Sequence, residues 1–129
     1  MKKKIVILAL ALALLLALPS CALLNRPKLS TYAEWASDME DLGLRISHYS
    51  SVRVDSFEEQ VRAVLPITEP IKRICHAIAM PRWAYIVEFS NESDAQMFYQ
   101  NVTADQGWMG KIEGAVVIYG ADDVIATLK

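Results

Sequence analysis

Ile5 through Leu18 are fourteen consecutive apolar residues, preceded by Lys2, Lys3 and Lys4 and closed by Pro19 and Ser20, and this run divides the chain before any folding argument begins. It is shorter than the ~20 apolar residues that a bilayer-spanning helix needs, and too uniformly apolar for the surface of a small domain. A cationic start, an apolar stretch and a small residue at its end are the parts of an export signal, so residues 1–20 are set aside from the fold. The 129-residue chain then keeps 109 residues. That is enough for a single hydrophobic core.

Leu18-Pro19-Ser20-Cys21 resembles the lipobox of bacterial lipoproteins. The resemblance implies diacylglyceryl transfer to the Cys21 thiol, cleavage before that residue and acylation of the new amine. It places the protein outside the cytoplasm, held through Cys21 at the cell membrane or the outer membrane. Pro19 stands where that family more often carries Ala, Ser or Thr. Two further readings of the segment remain open: Ser20-Cys21-Ala22 fits an ordinary signal-peptidase site, and residues 5–24 as a helix would reach ~30 Å, the length of an uncleaved anchor. Residues 21–30, with Arg26, Pro27 and Lys28, read as the lipidated cysteine and a short polar tether.

Loss of the leader removes three of the thirteen basic residues and none of the fifteen acidic ones, so the net charge falls from −2 to −5. Nucleic acid is not the partner expected of such a surface. With Cys21 acylated, Cys75 is the remaining thiol, and its neighbours Ile74, Ala77 and Ile78 predict a buried residue rather than a reactive one.

Residues 31–129 read as one α+β domain. Thr31-x-x-Glu34 fits a capping box, and Tyr32, Trp35, Met39 and Leu42 recur at helical spacing up to Gly43, a natural stop. Ile46 and Tyr49 continue that spacing, so the helix could run through Gly43, but the alternation of Leu44, Ile46 and His48 with Arg45, Ser47 and Tyr49 favours a strand at Leu44 to Tyr49. A second helix is announced at Asp55-x-x-Glu58, with Phe57, Val61, Val64 and Leu65 on one face, and ends before Pro66. Ile71 to Met80 fits either a helix or a strand by its spacing, and the order of its neighbours favours a strand. Trp83 to Phe89 alternates, Ser90-Asn91 caps a helix over about Glu92 to Thr103, Gly107 to Gly114 approaches as a loop, Ala115 to Tyr119 is a buried strand, and Ala121 to Leu128 a short final helix. This order predicts a ferredoxin-like split βαβ plan with an added N-terminal helix and a short C-terminal one, its hairpin at Met80-Pro81-Arg82. Val87 to Ala95 and Val117 to Gly120 also resemble segments of small bacterial envelope lipoproteins of unknown function, a resemblance that brings no catalytic residues.

No motif assembles a reaction. His48 and His76 are the two histidines, and neither stands at a metal-ligand spacing; adjacent strand residues point to opposite faces, so Cys75 and His76 cannot share an ion. A nucleophile elbow is absent, and Asp122-Asp123 suits the start of a helix. Neither a metal nor another cofactor is expected. Trp108 and Met109, in a glycine-flanked stretch, are the candidate contact residues if exposed; the structural alternative has Trp108 folded over the end of the core. The sequence therefore predicts a lipid-anchored binding or scaffolding protein of the cell envelope, not an enzyme, with an envelope protein as partner. The competing expectation is a small envelope hydrolase or ligand-binding protein that uses His48, His76 and nearby carboxylates.

Overall fold

Alternation along residues 83–89 becomes the centre of the molecule. Ala84 and Ile86 point to one side of their strand and Trp83, Tyr85 and Val87 to the other, and helices cover both sides. The computed structural model describes residues 29–128. The leader, Cys21 and most of the tether lie outside the described residues. The elements run α1 (Thr31–Asp41), β1 (Arg45–His48), α2 (Ser51–Arg62), β2 (Arg73–Ala79), β3 (Arg82–Glu88), α3 (Glu92–Gln100) with a π-helical turn (Asn101–Asp105), β4 (Met109–Glu113), β5 (Val116–Gly120) and α4 (Asp122–Ile125).

The α+β class is found as expected. The five strands form one antiparallel sheet in the order β1-β2-β3-β5-β4. Its neighbours differ from those of a split βαβ plan, in which the strand after the hairpin lies between the two strands that the first helix joins. Here β1 and β2, joined through α2, are direct partners, Ile46 opposite Ala77 and His48 opposite Cys75. The expected loop before β5 is the edge strand β4. Its Gly110 and its alternating charges Lys111 and Glu113 hide the strand from a propensity reading, and both are common devices of sheet edges. Gly110 is required there because a Cβ would stand 2.9 Å from the Ile118 carbonyl oxygen and 3.2 Å from Thr103 Cγ2.

Period two sorts the core into two halves. Cys75, Ala77, Ala84, Ile86, Val116 and Ile118 meet Trp35 and Met39 of α1 and Val124 and Ile125 of α4. Ile74, Val87, Phe89 and Val117 meet Val54 and Val61 of α2 and Ala95, Phe98 and Val102 on the α3 side. Gly43, at φ 89°, ends α1 in the left-handed conformation that glycine adopts freely.

Four boundaries shift from the sequence expectation. The cap of α1 is Ser30, whose hydroxyl accepts from the Ala33 amide at 3.3 Å, and α2 starts four residues early because the Ser50 hydroxyl accepts from the Arg53 amide at 3.4 Å. The last turn of α2 closes at Arg62, so Val64 leaves the buried face and is 68% exposed. Beyond Gln100 the α3 helix widens into the π turn, which keeps Val102 in the core while the Trp108 amide bonds its carbonyl at 2.9 Å.

One buried carboxylate locks the segment between α2 and β2. Asp94 is fully buried and accepts from the Thr68 amide at 3.0 Å, the Glu69 amide at 3.1 Å, the Thr68 hydroxyl at 3.2 Å and Asn91 Nδ2 at 3.1 Å. Burial opposes its ionisation, but these donors outweigh burial and hold the carboxyl below the usual carboxylate range. Such a group stabilises the native state fully above the ordinary carboxylate pKa, and the contribution is lost as pH falls through the depressed native value. Asp94→Asn, which presents a donor to these donors, is expected to cost about 2 kcal/mol at neutral pH in urea unfolding. The gap between variant and wild type should narrow in acid, and a gap constant down to pH 2 would show that the charge is not the cause.

Candidate functional site

The second helix carries two unlike surfaces. Arg53, Ser56, Phe57 and Gln60 follow one another on one side of it, while Asp55, Glu58, Glu59 and Arg62 occupy the other side. Glu58 is used structurally: Oε1 accepts from the Ile71 amide at 2.6 Å and Oε2 pairs with Arg62 at 3.3 Å. The stripe led by Arg53 looks instead into a cleft of about 300 Å³, walled by Tyr49, Arg53, Ser56, Phe57 and Gln60 and floored by Tyr85 and Tyr119. A second depression of about 230 Å³ adjoins it through Phe57, Gln60 and Tyr119 and runs past Val61, Leu65, Phe98 and Val102.

The floor is an aromatic row set by strand register. His76, Tyr85 and Tyr119 stand directly opposite one another on β2, β3 and β5. Their rings stack in sequence, His76 on Tyr85 at 4.4 Å between centroids and Tyr85 on Tyr119 at 5.5 Å. Trp83 meets the edges of Tyr85 and Tyr119 at 5.9 and 6.2 Å, and Trp108 stands perpendicular to Trp83 at 4.9 Å. The row thus runs from the cleft to the Trp108 stretch.

The cleft is a field of hydrogen-bond donors. Burial, and then the hydrogen-bonded hydroxyl of Tyr49, push the Tyr85 phenol up; burial, followed by the neighbouring Tyr85 and Tyr49, pushes Tyr119 up as well. Both stay protonated at neutral pH and donate O–H. The Arg53 guanidinium lies 3.9 Å over the Tyr49 ring. Burial, then the positive charge of Arg53, lower the His76 pKa, so its imidazole is neutral at physiological pH.

The sequence candidates are scattered. His48 and His76 lie on the paired strands β1 and β2 but on opposite faces of the sheet, so the structure does not bring them together. Nδ1 of His48 lies 3.0 Å from the Tyr32 hydroxyl on the α1 side, beside the fully buried Cys75. Burial pushes the Cys75 thiol up, which keeps it protonated and inert. Trp108 and Met109 are 44% and 42% exposed: Trp108 covers Trp83 with one part of its ring and faces solvent with the rest, and Met109 opens β4. Asp122 and Asp123 form the first turn of α4. Among the described residues no three His, Cys, Asp or Glu side chains gather as metal ligands, and no helix is long and apolar enough to cross a membrane. Cys21 lies outside the described residues.

Sequence reasoning missed Tyr49, Arg53, Gln60 and Tyr119. The signal was the segregation of carboxylates from the Arg53 stripe along α2, hidden because the start of that helix was placed at Asp55. Trp83 and Tyr85 are half-buried, and Tyr85 forms part of the cleft floor. Comparison of the chain with protein-family models, with curated proteins and with solved structures finds no match.

The His76 imidazole should titrate below 6.5 by NMR, and Arg53→Gln should move it part of the way back, since burial remains as the larger cause. A native value at or above 6.5, unchanged by Arg53→Gln, would show that the guanidinium does not act on the ring.

Proposed function

We propose that this protein is a lipid-anchored binding module of the bacterial cell envelope, tethered through Cys21 outside the cytoplasm and engaging its ligand through the cleft between α2 and the sheet. One observation carries the binding role. Tyr85, half-buried where a core would seal it, floors an open cleft together with the edge of the buried Tyr119, and the walls supply a guanidinium and polar groups. An aromatic floor with a few convergent polar groups is the usual make-up of a site that binds rather than packs.

The anchor rests on Leu18-Pro19-Ser20-Cys21 and the apolar run before it. A tether of about ten residues spans roughly 17 Å as a flexible coil, so the domain would work close to the bilayer. Arg26 and Lys28 fall where an anionic leaflet attracts basic side chains. The two or three acyl chains of such lipoproteins hold far better than one. A catalytic role for the two histidines finds no support in their placement on opposite faces of the sheet.

Intact mass of protein purified from its host tests the anchor: an acylated chain starting at Cys21 is expected, and a chain starting at Ala22 or Met1 would refute it. Covalent surface labelling tests the binding role. Tyr49, Tyr85 and Gln60 should be protected in native membranes compared with purified protein in lipid discs. Equal labelling in the two settings would leave the cleft without a ligand in the cell.

A further inference from the structure

The cleft differs from the rest of the surface in the sign of its charge. All fifteen carboxylates of the chain lie among the described residues, and none of them lines the cleft or the adjoining depression. Three of them, Asp55, Glu58 and Glu59, sit on α2 itself, one or two positions from Arg53, Phe57 and Gln60. The helical period turns them away. On a domain of net negative charge, the acid-free lining is where an anion meets least repulsion.

Arg53 is the cation in that lining. The ion pairs among the described residues are Arg62 with Glu58 and Arg73 with Glu88, so Arg53 has no carboxylate within ion-pair distance there. Its guanidinium rests instead on the Tyr49 ring. A cation held over an aromatic face in this way makes no hydrogen bond to the ring plane's edge, and the guanidinium keeps a planar fork of N–H donors. A fork of that shape matches the two oxygens of a carboxylate or phosphate. The hydrogen-bonded hydroxyls of Tyr49 and Tyr85 leave one O–H of the pair free, and the protonated phenol of Tyr119 lies in the same lining.

The adjoining depression has a different lining. Val61, Val64, Leu65, Phe98 and Val102 give it an apolar side, Gln60, Asn101 and Gln106 add uncharged polar groups, and Phe57 and Tyr119 connect it to the donor-lined end. At about 230 and 300 Å³ the two spaces suit a small ligand.

We infer that the cleft takes a small amphiphilic anion, a single carboxylate or phosphate monoester head with an apolar body, its head at Arg53, Tyr49 and Tyr85 and its body lying over Phe57 and Tyr119 toward Val61 and Val102. The inference rests on the binding role proposed above and specifies the ligand of that site. A cation in the same place would face the guanidinium with no carboxylate to hold it. A neutral ligand would leave the N–H fork of Arg53 to water.

The test uses the full lipidated chain in phosphatidylcholine discs and probes short enough to stay in water: hexanoate, hexyl phosphate, inorganic phosphate, hexanol and hexylammonium. NMR follows the Arg53 Nε–H and the Val102 methyl groups. Hexanoate or hexyl phosphate should shift both signals together and saturate, the tighter of the two identifying the head. Arg53→Gln should weaken that binding on the order of tenfold, and Arg53→Lys by less. The inference is overturned if neither anion saturates, if hexanol or hexylammonium binds as tightly, or if inorganic phosphate matches hexyl phosphate. Tight hexanol binding would still leave the cleft a binding site. Equal labelling of the cleft in native membranes and in lipid discs would instead remove the binding role itself.

Discussion

The distance between α2 and α3 hangs on one buried carboxylate. Asp94, in the first turn of α3, gathers the amides of Thr68 and Glu69, while α2 holds the two ends of the same segment through Arg62 to the Ile67 carbonyl and Glu58 to the Ile71 amide. The connection from α2 to β2 is therefore pinned from both helices. These backbone groups would otherwise need water or regular secondary structure to satisfy them. Because α2 walls the cleft and faces the α3 region across the adjoining depression, this polar clamp holds the spacing of the two helices with no residue inside either space. The arrangement also explains how α2 can stay in place with only Val54 and Val61 fully buried: hydrogen bonds at its C-terminal end supplement a thin apolar seam.

Register supplies the second constraint. A one-residue slip of β3 against its neighbours would exchange its two faces, sending Ala84 and Ile86 toward α2 and the aromatic side chains into the tight layer under α1. That layer does not admit them. Ala77, Ala84 and Gly120 keep it thin, and a Cβ on Gly120 would stand 2.3 Å from the Trp83 carbonyl oxygen. Small residues on one face thus force the large ones onto the other. There they form the stacked row of His76, Tyr85 and the buried Tyr119, with Trp83 and Trp108 at its end, and Tyr85 is left half-buried on the cleft floor.

Several elements were legible because local chemistry and tertiary contacts agree on them. Gly43 stops α1, the alternation of Trp83 to Phe89 gives β3, Asn91 caps α3, and Cys75 is buried among apolar neighbours, all as the residues imply. The ambiguous stretch at residues 71–80 is a strand because β1 and β3 flank it on both sides, a fact of pairing that no spacing in the segment encodes. Edge strand β4 was illegible for the opposite reason. Its glycine and its charges answer to the Ile118 backbone and to solvent, and neither is local to it.

The sequence by itself determined the α+β class, most helix and strand positions, and the burial of Cys75. Each follows from periodicity or from a single residue's backbone preference, properties that act within a few positions along the chain. Only the tertiary structure decided that β1 and β2 are neighbours, that His48 and His76 are separated by the thickness of the sheet, and that Arg53 and Tyr49 share a cleft with Tyr85 of β3 and Tyr119 of β5. The cleft belongs to this second group. It is made by what the packing of two unequal sheet faces leaves uncovered, and that difference exists only once the strands have chosen their partners.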